Sequence, residues 1–197
     1  QGEPVSLRYQ TVFFNAYLNY DSGAPSEWAR GAVERAYRLG LLPDALAKSF
    51  QTPATRQEFS ELAALLYESL QGPVEPAAPF LDTSDLSVRK LAALGIVGGT
   101  GGGKFQPDEP LTREQAAKIL DLLLQKLGRP ADVRRVEYAD LSAVSAWAAD
   151  HVFSVSNRRI MSGVGENRFD PQGWFTREQS VVTMLRVHDL ISGIGDR

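Results

Sequence analysis

At three places a Thr-Arg pair opens a strongly apolar-periodic run: Thr55-Arg56-Gln57-Glu58, Thr112-Arg113-Glu114-Gln115 and Thr176-Arg177-Glu178-Gln179. Each reads as a helix start with one capping box, the Thr hydroxyl taking the N3 amide and Glu58, Gln115 or Gln179 reaching back to the Thr amide. The copies stand 57 and 64 residues apart, which points to a repeat architecture. The cap does not account for the arginine. A cation in the first turn opposes the helix macrodipole at a cost of about a few tenths of a kcal/mol. One reading is an anion site, in which free helix N–H groups and a guanidinium fork receive a carboxylate or phosphate. The other is an ion pair with Asp82, Asp140 or a loop carboxylate.

The runs have one apolar face each: Phe59, Leu62, Ala63, Leu66 and Leu70; Ala116, Ile119, Leu120, Leu123 and Leu127; Val181, Met184, Leu185 and Ile191. These are the spacings of helices buried on one side. Gly72 and Gly128, each with a proline shortly behind, stop the first two. Upstream of each Thr lies a shorter amphipathic helix, carrying Trp28 and Val33, Val88 and Leu91, or Trp147 and Val152. Ten residues after Gly40, Gly95 and Arg159 come Phe50, Phe105 and Phe169, expected in the core. The unit is therefore helix, loop, Phe anchor, capped helix. A lone copy buries too little to stand by itself, so the copies should share one core.

Composition narrows the function classes. Hydrophobic content is 43%, charged content 23% and net charge −3, so no global basic field attracts nucleic acid and any anion affinity is local. The absence of cysteine removes disulfides, thiolate metal sites and Cys nucleophiles. No apolar run approaches the roughly 18 residues of a membrane span. The opening Gln1-Gly2-Glu3-Pro4 lacks a basic start and an apolar stretch, as expected of a processed form or a piece of something longer. His151 and His188 lie far apart without ligand-spaced partners, and no nucleophile elbow or histidine-centred triad is visible. No metal, cofactor or enzymatic activity is expected.

Several stretches resemble S-layer homology domains, in the triple arrangement of exported Gram-positive, clostridial-type proteins. They are Ser26-Glu27-Trp28-Ala29, Phe80-Leu81-Asp82, Leu94 to Gly99 and Lys104-Phe105-Gln106-Pro107 before Thr112. In the third copy they are Tyr138-Ala139-Asp140, Ser145-Ala146-Trp147-Ala148, Ile160 to Gly165 and Phe169-Asp170-Pro171 before Thr176. The resemblance divides the chain into an extension at 1–25, including a β-like segment, and repeats at 26–72, 80–128 and 138–191. It implies a mainly all-α fold, a pseudo-threefold trimer of helix–loop–helix repeats around a central three-helix bundle. It further implies a monomeric, exported module at the bacterial cell surface, fused to or associated with other exported domains. Its grooves would bind anionic secondary cell-wall polysaccharide, often through a ketal-pyruvate on an amino sugar.

By the same resemblance Arg56, Arg113 and Arg177 face the grooves, with Asp82, Asp140, Trp28, Trp147 and the backbone of Gly99, Gly101, Gly163 and Gly165 helping to line them. Read on their own, the tryptophans are sugar platforms or core anchors. The aspartates accept hydroxyls or cap a helix, and the glycines serve turns and close backbone approach. Copy one departs most, with Leu42 to Lys48 where the others have a Gly-rich loop and only Asp21 as a candidate aspartate. Copy two lacks the Trp. On those grounds Arg177 and Arg113 are the first candidates for working grooves, and Arg56 the last. A protein-interaction module with degenerate grooves is the alternative, and a glycan-cleaving enzyme would require two carboxylates converging in a groove.

Overall fold

The computed structural model describes residues 23–194. The β-like segment and Asp21 lie outside them. Six α-helices carry the described residues: α1 Glu27–Arg38, α2 Arg56–Gln71, α3 Leu86–Ala93, α4 Arg113–Lys126, α5 Ala149–Asn157 and α6 Arg177–Ser192. Short 3-10 turns at Asp44–Leu46 and Leu141–Ala143 interrupt two of the loops. There is no β-sheet among the described residues, and the fold is all-α. No helix among them is long and apolar enough to cross a membrane.

The three Thr caps form as the local sequence dictates. Each Thr side chain accepts from the N3 amide and each N3 side chain accepts from the Thr amide, so α2, α4 and α6 begin with complete capping boxes. Phe59, Leu62 and Leu66 on α2, Leu120 and Leu123 on α4, and Met184 and Val187 on α6 share one buried core with Phe50, Phe169 and Phe175. Phe105 is equally enclosed.

The helices interlock across copies. The outer helix of each copy packs on the inner helix of another: α3 on α2, α5 on α4, and α1 back on α6, while α2 also touches α4 and α6. Backbone hydrogen bonds repeat this order. Leu111 N–H donates to Ala54 O at 2.9 Å, Ala54 N–H to Phe175 O at 2.8 Å, and Phe175 N–H to Leu111 O at 2.8 Å, a closed ring of three. All three residues are buried. The ring gives each copy's pre-helix strand polar partners in a dry interior, where an unmade bond would cost about 1–3 kcal/mol.

The next two amides of each inner helix are also taken. Arg56, Arg113 and Arg177 N–H donate to Glu109, Gly173 and Thr52 O, and Gln57, Glu114 and Glu178 N–H donate to Pro107, Pro171 and Phe50 O. This corrects one sequence expectation. The helix N-termini offer no free N–H groups to an anion, because neighbouring copies satisfy them; the guanidinium is the donor that remains.

Candidate functional site

The first-turn arginines point away from their own helices into the neighbouring copy. Arg56 Nε donates to Phe105 O at 3.0 Å and Nη2 to Gly98 O at 3.3 Å, with the guanidinium 4.5 Å above the Phe105 ring. Arg113 repeats the arrangement with Phe169 O at 2.7 Å, Ser162 O at 2.8 Å and the Phe169 ring at 4.9 Å. Both therefore hold the loop of the next copy through carbonyls and an aromatic face, and neither makes an ion pair among the described residues. Burial pushes both guanidinium groups below their ordinary value, with Asp82 opposing it for Arg56 and Asp170 for Arg113. Arg113 is only 4% exposed, a nearly buried cation without a bound counter-charge. Such a charge favours any anion that reaches it.

Each of these arginines lines a cleft built from all three copies. The wider, about 390 Å³, joins Arg113 to the Met161–Val164 loop, to Thr176, Gln179, Val182, Thr183 and Arg186 on the α6 side, and to Trp28. The other, about 220 Å³, joins Arg56 to Val97, Gly98, Gly99 and Thr100, to Gln115, Lys118 and Ile119 on α4, and to Trp147. Trp28 and Trp147 are 58% and 49% exposed, which excludes the core-anchor reading and leaves their rings as cleft walls. Lys118 Nζ lies 5.5 Å from the Trp147 ring centre. Arg186 spans from α6 to Ile160 O at 3.0 Å. Each cleft thus holds a second cation.

Glycine shapes the loops. A Cβ at Gly99 would stand 2.8 Å from Lys104 O, and one at Gly163 2.6 Å from Arg168 O, so the two hairpin-like turns close only without a side chain there. Gly101 and Gly165 adopt φ of 121° and 118°, conformations that favour glycine. They form the turn tips and lie outside the two clefts.

Neither aspartate caps a following helix through its side chain. Asp82 accepts from Phe105 and Gln106 N–H, both at 2.8 Å, and Asp140 from Phe169 and Asp170 N–H at 2.8 and 2.7 Å. Each carboxylate clamps the loop around its Phe anchor, and neither residue lines either of the two arginine clefts. The Phe105 amide foremost holds Asp82 below the usual carboxylate range; for Asp140, desolvation opposes the shift and the two amides outweigh it.

Arg177 is placed differently. Its Nε and Nη2 meet both oxygens of Glu58 at 3.1 and 2.5 Å, and Nη1 reaches Lys48 O at 3.4 Å. The degenerate loop of copy one stands here, and the guanidinium already has a carboxylate. Sequence reading missed Lys118, Arg186, Gln115 and Gln179. A signal existed, since all four lie within the first three turns of an inner helix after its Thr-Arg pair.

Comparison with known proteins places these elements. The S-layer homology domain profile matches residues 86–117 and 137–179. The chain is 35% identical over 109 residues to an endoglucanase of Bacillus sp. (strain KSM-635), covering 52% of this chain and 11% of that one. It is 27% identical over 130 residues to a cell surface protein of Thermoanaerobacter kivui, covering 62% and 17%. With cell surface glycoprotein 1 of Acetivibrio thermocellus it shares 26% identity over 174 residues, covering 80% and 7%. The chain thus spans less than a fifth of the length of these relatives.

Proposed function

We propose that this chain, two segments of which match the S-layer homology domain, is a non-catalytic anchor that holds an exported protein at the bacterial surface by binding anionic cell-wall polysaccharide. The matched relatives support the location: two are cell surface proteins, and an enzyme shares with this chain only a small part of its length. The repeats close on one another as a pseudo-threefold unit, a reading supported by the ring of bonds among Ala54, Leu111 and Phe175.

The observation that carries the binding reading is the cation without a counter-ion at the base of each cleft. Arg113 and Arg56 spend Nε and one N–H of Nη2 on carbonyls, leaving Nη1 to receive a carboxylate such as a pyruvate ketal. Lys118 or Arg186 adds charge farther along the cleft, and Trp147 or Trp28 offers a flat apolar wall to a sugar ring. Catalysis finds no support in the clefts. Glu178 is the one carboxylate lining either of them, and Ser26 N–H and Oγ–H occupy both of its oxygens.

The test is cosedimentation with purified cell walls before and after acid extraction of the secondary polymer. Retention on intact walls and loss on extracted ones is expected. Equal retention on both would overturn the proposal.

A further inference from the structure

Copy three carries arginine at three positions where the other copies have none. Arg158 and Arg159, in the turn after α5, stand where copies one and two have Leu39-Gly40 and Leu94-Gly95. Arg186, ten residues after Thr176, stands where they have Leu65 and Leu122. The fold brings all three to one cleft of about 300 Å³, completed by Ile160, Asp189, Leu190, Gly193 and Ile194 at the C-terminal end of α6. Arg186 alone also lines the Arg113 cleft.

The charges in this cleft do not cancel. Arg159 is exposed and makes no side-chain hydrogen bond or ion pair among the described residues. It holds φ of 56°, in the left-handed region where Gly40 and Gly95 sit at 70° and where a side chain is disfavoured. Arg186 gives one N–H to Ile160 O at 3.0 Å. Its partly enclosed position pushes the guanidinium below its ordinary value, and no carboxylate opposes this. Arg158 donates to Pro130 O and stands 4.0 Å from Asp132, whose oxygens Arg134 already holds at 2.9 and 2.7 Å. Asp189, the one acid lining the cleft, has both oxygens on Arg35 at 2.6 Å, with His188 Nδ1 at 3.1 Å from one of them. A helix C-terminus favours a nearby cation, but Arg129 already serves α6 by donating to Leu190 O at 3.2 Å. The dipole gives no reason for three more, one of them strained.

We propose that this cleft is a second anion site, separate from the sugar grooves, and that it takes a phosphate ester. Three guanidinium groups suit an oxyanion with several acceptor oxygens. Leu190 and the half-exposed Ile194 offer the ester's organic arm an apolar wall. Strain such as that at Arg159 persists where a site uses it. The site does not rest on the anchoring function, since Arg158 and Arg159 line neither of the clefts described above. A small phosphate ester and a phosphodiester polymer present the same group, and the probes separate them.

Calorimetric titration at low salt with glycerol 1-phosphate, and in parallel with a phosphodiester-linked glycerol-phosphate hexamer, should give saturable binding at about one site per chain. Tighter binding of the monomer assigns a small ester and tighter binding of the hexamer a polymer; either supports the site. Arg159→Gly and Arg186→Leu install the residues of the other copies. R159G should melt no lower than the native protein, because the left-handed turn is relieved, yet bind the probe about threefold more weakly or worse. R159G/R186L should lose more than about tenfold. No saturable binding of either probe, or native affinity in R159G, overturns the proposal. Wall retention is a separate readout, so failure of this site and failure of the anchoring function remain distinguishable.

Discussion

An arginine in the first turn of a helix works against the local dipole, and here the next copy supplies the reason. Arg56 and Arg113 hold the neighbouring loop by two carbonyls and a Phe ring while keeping part of the guanidinium open to a cleft. The anomaly was legible in the sequence, because it concerns a residue and its own helix. Its resolution was not, since the acceptors are backbone carbonyls from 42 to 56 positions away. A buried polar joint makes a pH prediction. Asp121, 1% exposed, receives Ser154 Oγ–H at 2.5 Å and Gln125 Nε2–H at 2.8 Å, with His151 Nδ1 at 2.8 Å. Desolvation raises its carboxyl, but the bonds from His151, Ser154 and Gln125 outweigh it and hold the carboxyl below its ordinary value. Its contribution is therefore present above the unfolded range near pH 4 and lost as pH falls through the lower folded value. Melting midpoints measured from pH 7 to pH 2 should fall on that acid limb. Asp121→Asn should lower stability by about 3 kcal/mol at pH 7 and shrink the acid-dependent part. An unchanged acid limb would rule this out.

Among the elements, helix starts were the most readable and loops the least. Thr caps, apolar periodicity and the Phe anchors depend on neighbours a few residues away, and all three caps stand where expected. Of the two readings kept for the loop aspartates, capping does not hold, because Asp85 takes that place on α3 by accepting from Val88 N–H at 2.9 Å. Asp82 is thereby left to bind the Phe105 and Gln106 amides. The glycine loops separate shape from binding. Gly163→Ala would drive its methyl into Arg168 O and should displace the strip of backbone that faces Arg113. Wall affinity should drop about tenfold or more, with a stability loss of about 1–3 kcal/mol. Gly102→Ala, at a turn tip whose Cβ would meet open space although φ is 55°, should leave wall affinity within about twofold. Equal binding losses in the two variants would contradict the distinction.

For the whole molecule the repeat count was readable from the start, but the interlock was not. Each outer helix packs on another copy's inner helix, and the ring through Ala54, Leu111 and Phe175 takes one residue from each. Removing copy one strips α6 of α1 and leaves Leu111 N–H without its acceptor. A fragment of residues 80–194 should accordingly lose the single cooperative melt of the longer chain; an intact sharp transition would show that the copies are independent. Two open clefts and one closed arginine is the central claim about this surface, and cosedimentation of arginine variants with purified walls tests it most directly. The R56A/R113A double variant, kept below its melting temperature, should lose retention by more than about tenfold, while R177A should keep it within about twofold. Retention that survives R56A/R113A and disappears in R177A would contradict the account.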